Sequence, residues 1–123
     1  MLDTAKPMAF VATADAARAR TFYESVLGLR VVEDTPFALV LDSAGTTLRV
    51  QKVGEVRAAP YTALGWEVAD VAAAVRALRA RGVVFERYDG IEQDALGVWT
   101  APGGARVAWF RDPDGNVLSV SGR

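Results

Sequence analysis

The sequence predicts an α+β domain built from two tandem βαβββ modules, residues 8–53 and 62–121 of a single 1–123 domain, and three observations point there. The segment Ala14-Asp15-Ala16-Ala17-Arg18-Ala19 returns 55 positions later as Ala69-Asp70-Val71-Ala72-Ala73-Ala74. In each copy a short apolar run precedes the aspartate, a helical pattern follows it, and a glycine ends that pattern. Strand-like, β-branched runs come after each glycine.

In the first copy Asp15 suits an N-cap, because its short carboxylate can accept from the unpaired amides of the first turn. Ala19, Phe22, Tyr23, Val26 and Leu27 then fall on one helical stripe, and Gly28 supplies the stop. Residues 29–33, 37–42 and 46–53 read as strands, separated by turns at Asp34-Thr35-Pro36 and Ser43-Ala44-Gly45. Residues 54–60 are a connector that can reach at most ~25 Å when extended.

The second copy repeats the order. Asp70 caps, Val71, Ala74, Val75 and Leu78 make the stripe, and Gly82 closes it. Strands are expected at 83–88, 106–111 and 117–121, with Asp112-Pro113-Asp114-Gly115 as the turn between the last two. Residues 89–104 have no counterpart in the first copy, and long ordered insertions in compact domains tend to be functional. The Pro102-Gly103-Gly104 stretch inside it reads as a hairpin turn, since no strand-to-helix context makes it a phosphate loop.

Composition narrows the chemistry. The 123 residues contain no cysteine and no histidine, which excludes thiol catalysis, disulfides, and every mechanism that needs an imidazole base or ligand. Lys and Arg number 14 against 15 Asp and Glu, with the signs interspersed, so no basic stripe for nucleic acid is present. No apolar stretch approaches 20 residues and residues 1–7 lack a signal-peptide pattern, so a cytoplasmic protein without a membrane partner is expected.

A tandem βαβββ repeat carrying Phe22-Tyr23-Glu24, Leu27-Gly28-Leu29 and Asp112-Pro113-Asp114-Gly115-Asn116 resembles the vicinal oxygen chelate superfamily over residues 8–121. That superfamily includes glyoxalases, bleomycin-resistance proteins, fosfomycin-resistance enzymes and extradiol dioxygenases. The resemblance implies curved mixed sheets forming a cup, with a divalent metal held on the first and last strands of each module. Counting from Asp15, Asp70 and the Asp112 turn, those positions fall on Met8, Gln51, Ala63 and Ser119. A thioether, an amide, a methyl and a hydroxyl do not replace imidazoles and carboxylates, so no metal and no other cofactor is expected.

Strand alternation assigns the remaining cup residues, because positions two apart share a face. Phe10 and Ala12 accompany Met8, Arg49 and Thr47 accompany Gln51, Gly65 and Glu67 accompany Ala63, and Val117 and Ser121 accompany Ser119. Val11, Leu48, Val50, Leu64, Trp66, Leu118 and Val120 take the opposite face, suited to packing beneath the helices. Val107 and Trp109 share a face; Trp109 reads either as a pocket wall, as the resemblance implies, or as a core residue. Trp99, in the insertion, reads either as a lid over a ligand or as a loop or dimer contact. An inward Glu67 would pair with Arg49, sit at a wet rim, or orient a ligand.

These readings converge on a metal-free small-molecule-binding protein of the glyoxalase and bleomycin-resistance type. Its expected ligand-binding residues are Met8, Phe10, Gln51, Glu67, Trp99, Val107, Trp109 and Ser119, around an apolar or aromatic ligand. The alternatives are a lyase or dioxygenase whose metal ligands lie elsewhere, a metal-free enzyme using Glu67 as base, or an interaction module with a filled cup. No catalytic residue is assigned, and a homodimer is expected because two small sheets leave edges to cover.

Overall fold

A computed structural model describes residues 1–123, which divide into two compact units, 1–57 and 58–123. Each unit carries one four-stranded mixed sheet. No helix is long and apolar enough to cross a membrane.

The first unit runs β1 (Met8–Thr13), α1 (Ala16–Arg20), a π-helical continuation (Thr21–Val26), β2 (Arg30–Asp34), β3 (Ala38–Ser43) and β4 (Thr46–Lys52). Strand order is β1-β4-β3-β2, with β1 parallel to β4 and the other pairs antiparallel. Asp15 caps α1 by accepting from the Arg18 amide at 3.2 Å. The helical stripe departs from a pure α-helix: the Leu27 amide donates to the Phe22 carbonyl at 2.9 Å, five residues back. Tyr23 is fully buried within that widened segment, and Gly28, at φ +77°, turns the chain out of it. Val11, Val50 and Leu39 stand side by side in register, as do Leu48 and Leu41, and all five are buried with Ala19 and Tyr23.

The second unit runs β5 (Thr62–Glu67), α2 (Val71–Ala80), β6 (Trp99–Thr100), β7 (Arg106–Arg111) and β8 (Val117–Gly122), in the order β5-β8-β7-β6. Asp70 caps α2 by accepting from the Ala73 amide at 3.0 Å. Helix α2 packs on β7 and β8, where Ala108, Phe110, Leu118 and Val120 are buried with Val71 and Val75. The turn joining β7 to β8 is tied by Asp112, whose Oδ1 accepts from the Asp114 and Asn116 amides at 2.9 and 3.0 Å. The Asn116 side chain donates to Asp112 Oδ2 at 2.8 Å, so this buried carboxylate is fully occupied.

Two expectations for this unit are corrected. Residues 83–88 do not form a strand; they touch β7 through one bridge, Phe85 to Phe110, and through the Glu86 amide donating to the Trp109 carbonyl at 2.7 Å. The reason is that residues of the insertion share that edge. Trp99 and Thr100 pair with Val107 and Arg106, while the Gln93 side chain stands in for a backbone partner. It accepts from the Tyr88 amide at 2.8 Å and donates to the Glu86 and Gly97 carbonyls, each at 2.9 Å.

The second concerns the regular alternation expected along β5. A bulge lies between Thr62 and Leu64, so Thr62 pairs with Val117 while Leu64 pairs with the next residue, Leu118. Without the extra residue Thr62 would share the face of Leu64; a one-residue shift moves it to the opposite face. Ala63 is left without a cross-strand partner.

Candidate functional site

The face of the second sheet opposite α2 is built in rows by strand register. Thr62, Val117 and Arg111 form one row, Gly65, Ser119 and Trp109 the next, and Glu67, Ser121, Val107 and Trp99 a third. Five of the residues expected from the sequence to bind ligand, Glu67, Trp99, Val107, Trp109 and Ser119, therefore share this face. The other three, Met8, Phe10 and Gln51, lie in the first unit. There Phe10 pairs with Arg49 and Met8 with Thr47, on the face away from Val11 and Val50. Met8 and Phe10 are 46% and 50% exposed, and Gln51 is exposed.

Trp109 is the centre of the second unit's site. Its ring meets Tyr88 edge-on, centroids 5.5 Å apart at 76°, and lies 6.1 Å from Trp99 at a tilt of 31°. Both spacings fall in the attractive range for aromatic pairs. Its indole N–H donates to Thr62 Oγ1 at 3.1 Å. Pro60, Tyr61, Thr62, Tyr88, Trp109 and Val117 line an open depression of about 270 Å³. Gly65 is a close approach in the adjoining row, since a Cβ there would stand 2.6 Å from Ser119 Oγ. Trp66, by contrast, shares its face with Val120 and Ala108, beneath α2.

Trp99 is a residue of strand β6, half-buried and fixed to β7, rather than part of a loose cover. The insertion that carries it is anchored by Gln93 and by Asp94, whose Oδ1 accepts from the Leu96 and Val98 amides, each at 2.9 Å.

No charged side chain lines the depression. Beside it Arg111 and Glu86 form an ion pair at 2.8 Å, and Arg111 also donates to the Gly115 carbonyl at 3.1 Å. The Tyr88 phenol is held above its ordinary pKa, first by burial and then by the Glu86 carboxylate, with Arg111 partly opposing, so it is neutral at physiological pH. Glu67 is exposed, with no ion pair.

The chain matches the family model of the Glyoxalase/Bleomycin resistance protein/Dioxygenase superfamily over residues 6–120. It belongs to that superfamily. No curated protein matches it in sequence, but solved structures do in fold. A superfamily member from Sphaerobacter thermophilus DSM 20745 aligns over 100% of both chains at 22% identity and a TM-score of 0.74. A glyoxalase family protein from Enterococcus faecalis gives a TM-score of 0.76 at 18% identity, covering 98% of this chain and 99% of that one. The lactoylglutathione lyase from Agrobacterium tumefaciens gives 0.74 at 18% identity, with 97% and 93% covered.

In the enzymes of this superfamily, the resemblance implies, a divalent metal would be held at the positions occupied here by Met8, Gln51, Ala63 and Ser119. The residues present do not fit one. None is anionic, Ala63 offers no side-chain donor, and nowhere in the chain do three or more carboxylates gather as a ligand set. The residues that line the depression but are not singled out from the sequence are Pro60, Tyr61, Thr62 and Tyr88. Tyr88 was legible as an aromatic at the end of an expected strand. Thr62 reaches this face only through the bulge, which leaves no local signal.

Proposed function

We propose that this superfamily member binds a small, flat, uncharged aromatic molecule on the open face of its second sheet, without a metal, and that binding itself is its activity. The observation that carries the reading is the half-buried Trp109, braced by Tyr88 and Trp99, standing at an open depression lined by aromatic and apolar groups without charge. Stacked aromatic contacts contribute roughly 0.5–1.5 kcal/mol each beyond area burial. A depression of about 270 Å³ is just below the range of drug-sized pockets, roughly 300–1,000 Å³, so a one- or two-ring ligand fits best.

The test is a titration with indane, an uncharged bicyclic aromatic, followed through the three tryptophan indole N–H resonances. The Trp109 and Trp99 signals should move and saturate while Trp66 stays fixed. Absence of any movement at Trp109 would refute the reading.

A further inference from the structure

We propose that Thr62 is a specificity-determining hydrogen-bond donor, and that it selects aromatic carbonyl compounds, such as ring ketones, quinones or lactones, over the corresponding hydrocarbons. The inference rests on the binding reading above and adds the polar half of recognition to it.

A hydroxyl has one donor hydrogen and two acceptor lone pairs. In Thr62 one lone pair is committed, because the Trp109 indole N–H can only donate and does so to Oγ1 at 3.1 Å. The Thr62 hydroxyl donates to nothing in the protein, and its residue lines the depression beside the Trp109 ring. The indole thus fixes the hydroxyl's orientation and leaves its proton pointing elsewhere, available to an acceptor on a molecule stacked against Trp109.

The other hydroxyls lining the depression are the phenols of Tyr61 and Tyr88. A lining without charged side chains favours a neutral ligand, and the uncommitted Thr62 hydrogen favours one that carries an acceptor. A carboxylate or ammonium ligand would lose hydration without an opposite charge in the lining, since the neighbouring Arg111 and Glu86 are paired with each other. The local backbone supports the assignment: the extra residue of the β5 bulge is what turns Thr62 onto this face.

Matched probes separate this inference from the reading it depends on. 1-Indanone and indane have the same ring frame and differ in one carbonyl, and both are titrated against the Trp109 indole N–H resonance. 1-Indanone should bind about three- to tenfold more tightly, the range expected of one neutral hydrogen bond. Thr62→Val should bring 1-indanone down to the level of indane while indane changes by less than about twofold, and Thr62→Ser should restore the difference. Equal affinity of the two probes for the unmodified protein overturns the inference and leaves the aromatic site standing; this comparison needs no variant. Thr62→Val weakening both probes alike also overturns it, by showing that the hydroxyl only holds Trp109 in place. Failure of both probes to bind overturns the aromatic site itself.

Discussion

The indole N–H of Trp109 donates to the hydroxyl of Thr62 across 47 positions of sequence, fastening β7 to the start of β5 over the strand between them. Two residues with no local relation thereby become one wall of a depression.

Trp109 and Trp66 should separate binding from stability. Trp109→Ala is expected to weaken indane binding by up to about tenfold for each aromatic contact removed. Trp66→Ala, on the α2 face, should leave binding intact and lower stability by roughly 2 kcal/mol, below the ~3–5 kcal/mol typical of fully buried aromatics because Trp66 is half-exposed. Indane titrations and thermal melts on both variants check this; the reverse pattern would invert the face assignment.

Gln93→Ala removes three hydrogen bonds, two that tie the insertion to Glu86 and Tyr88 and one that closes it on Gly97. At about 1 kcal/mol each, the loss should approach 2–3 kcal/mol. Hydrogen exchange should report it most strongly at the Tyr88 amide, whose acceptor is the deleted side chain. Unchanged protection there would show that the backbone holds the insertion unaided.

Gly65 and Ser119 should couple. Gly65→Ala places a methyl 2.6 Å from Ser119 Oγ and is expected to cost about 1–2 kcal/mol. In a Ser119→Ala background the same change should cost less than half as much, since the oxygen it meets is gone. Chemical denaturation of the four proteins in the cycle measures the coupling; additive effects would place the strain elsewhere.

Tyr88 supplies a pH dependence. Its folded pKa is raised, so its contribution to stability is fully present below about pH 10, the ordinary tyrosine value, and is lost as pH rises through the higher folded value. In an absorbance titration at 295 nm, the step missing from Tyr88→Phe should lie above pH 10. Glu86→Gln should lower it by removing one of its two raising influences.

A homodimer is the expected assembly. β1 is an outer strand of the first sheet and leaves Met8 and Phe10 46% and 50% exposed, apolar surface that a second copy would cover. Sedimentation should give twice the 13.1 kDa chain mass, and Phe10→Arg should shift the protein toward monomer. A single-chain mass at tens of micromolar would count against it.

What the sequence made legible was what short-range chemistry determines. Asp15 and Asp70 cap their helices because an aspartate before a helical stripe has few better uses, and Trp66 shares a face with Leu64 rather than Gly65 because alternation within a strand is local; the face of Trp109, on another strand, stayed open until the register was known. The expected strand at 83–88 failed because its edge of β7 is shared with Trp99 and Thr100, and because the Glu86 carbonyl and Tyr88 amide are taken by the Gln93 side chain. That arrangement depends on chain folding back from later positions. Thr62 stayed hidden for a related reason: a bulge is set by the neighbour strand's register, and nothing in Tyr61-Thr62-Ala63 announces it.

The way the insertion meets β7 has a consequence for solubility. An outer strand is a template on which a further chain can add, and fibrils grow by that addition. Along β7 the ladder is occupied by two short pieces, Phe85-Glu86 and Trp99-Thr100, with the Gln93 amide clamping the loop that joins them. An incoming strand meets fragments too short and too firmly tied to extend. Loosening that clamp should therefore make the protein prone to aggregate at temperatures where most of it is still folded.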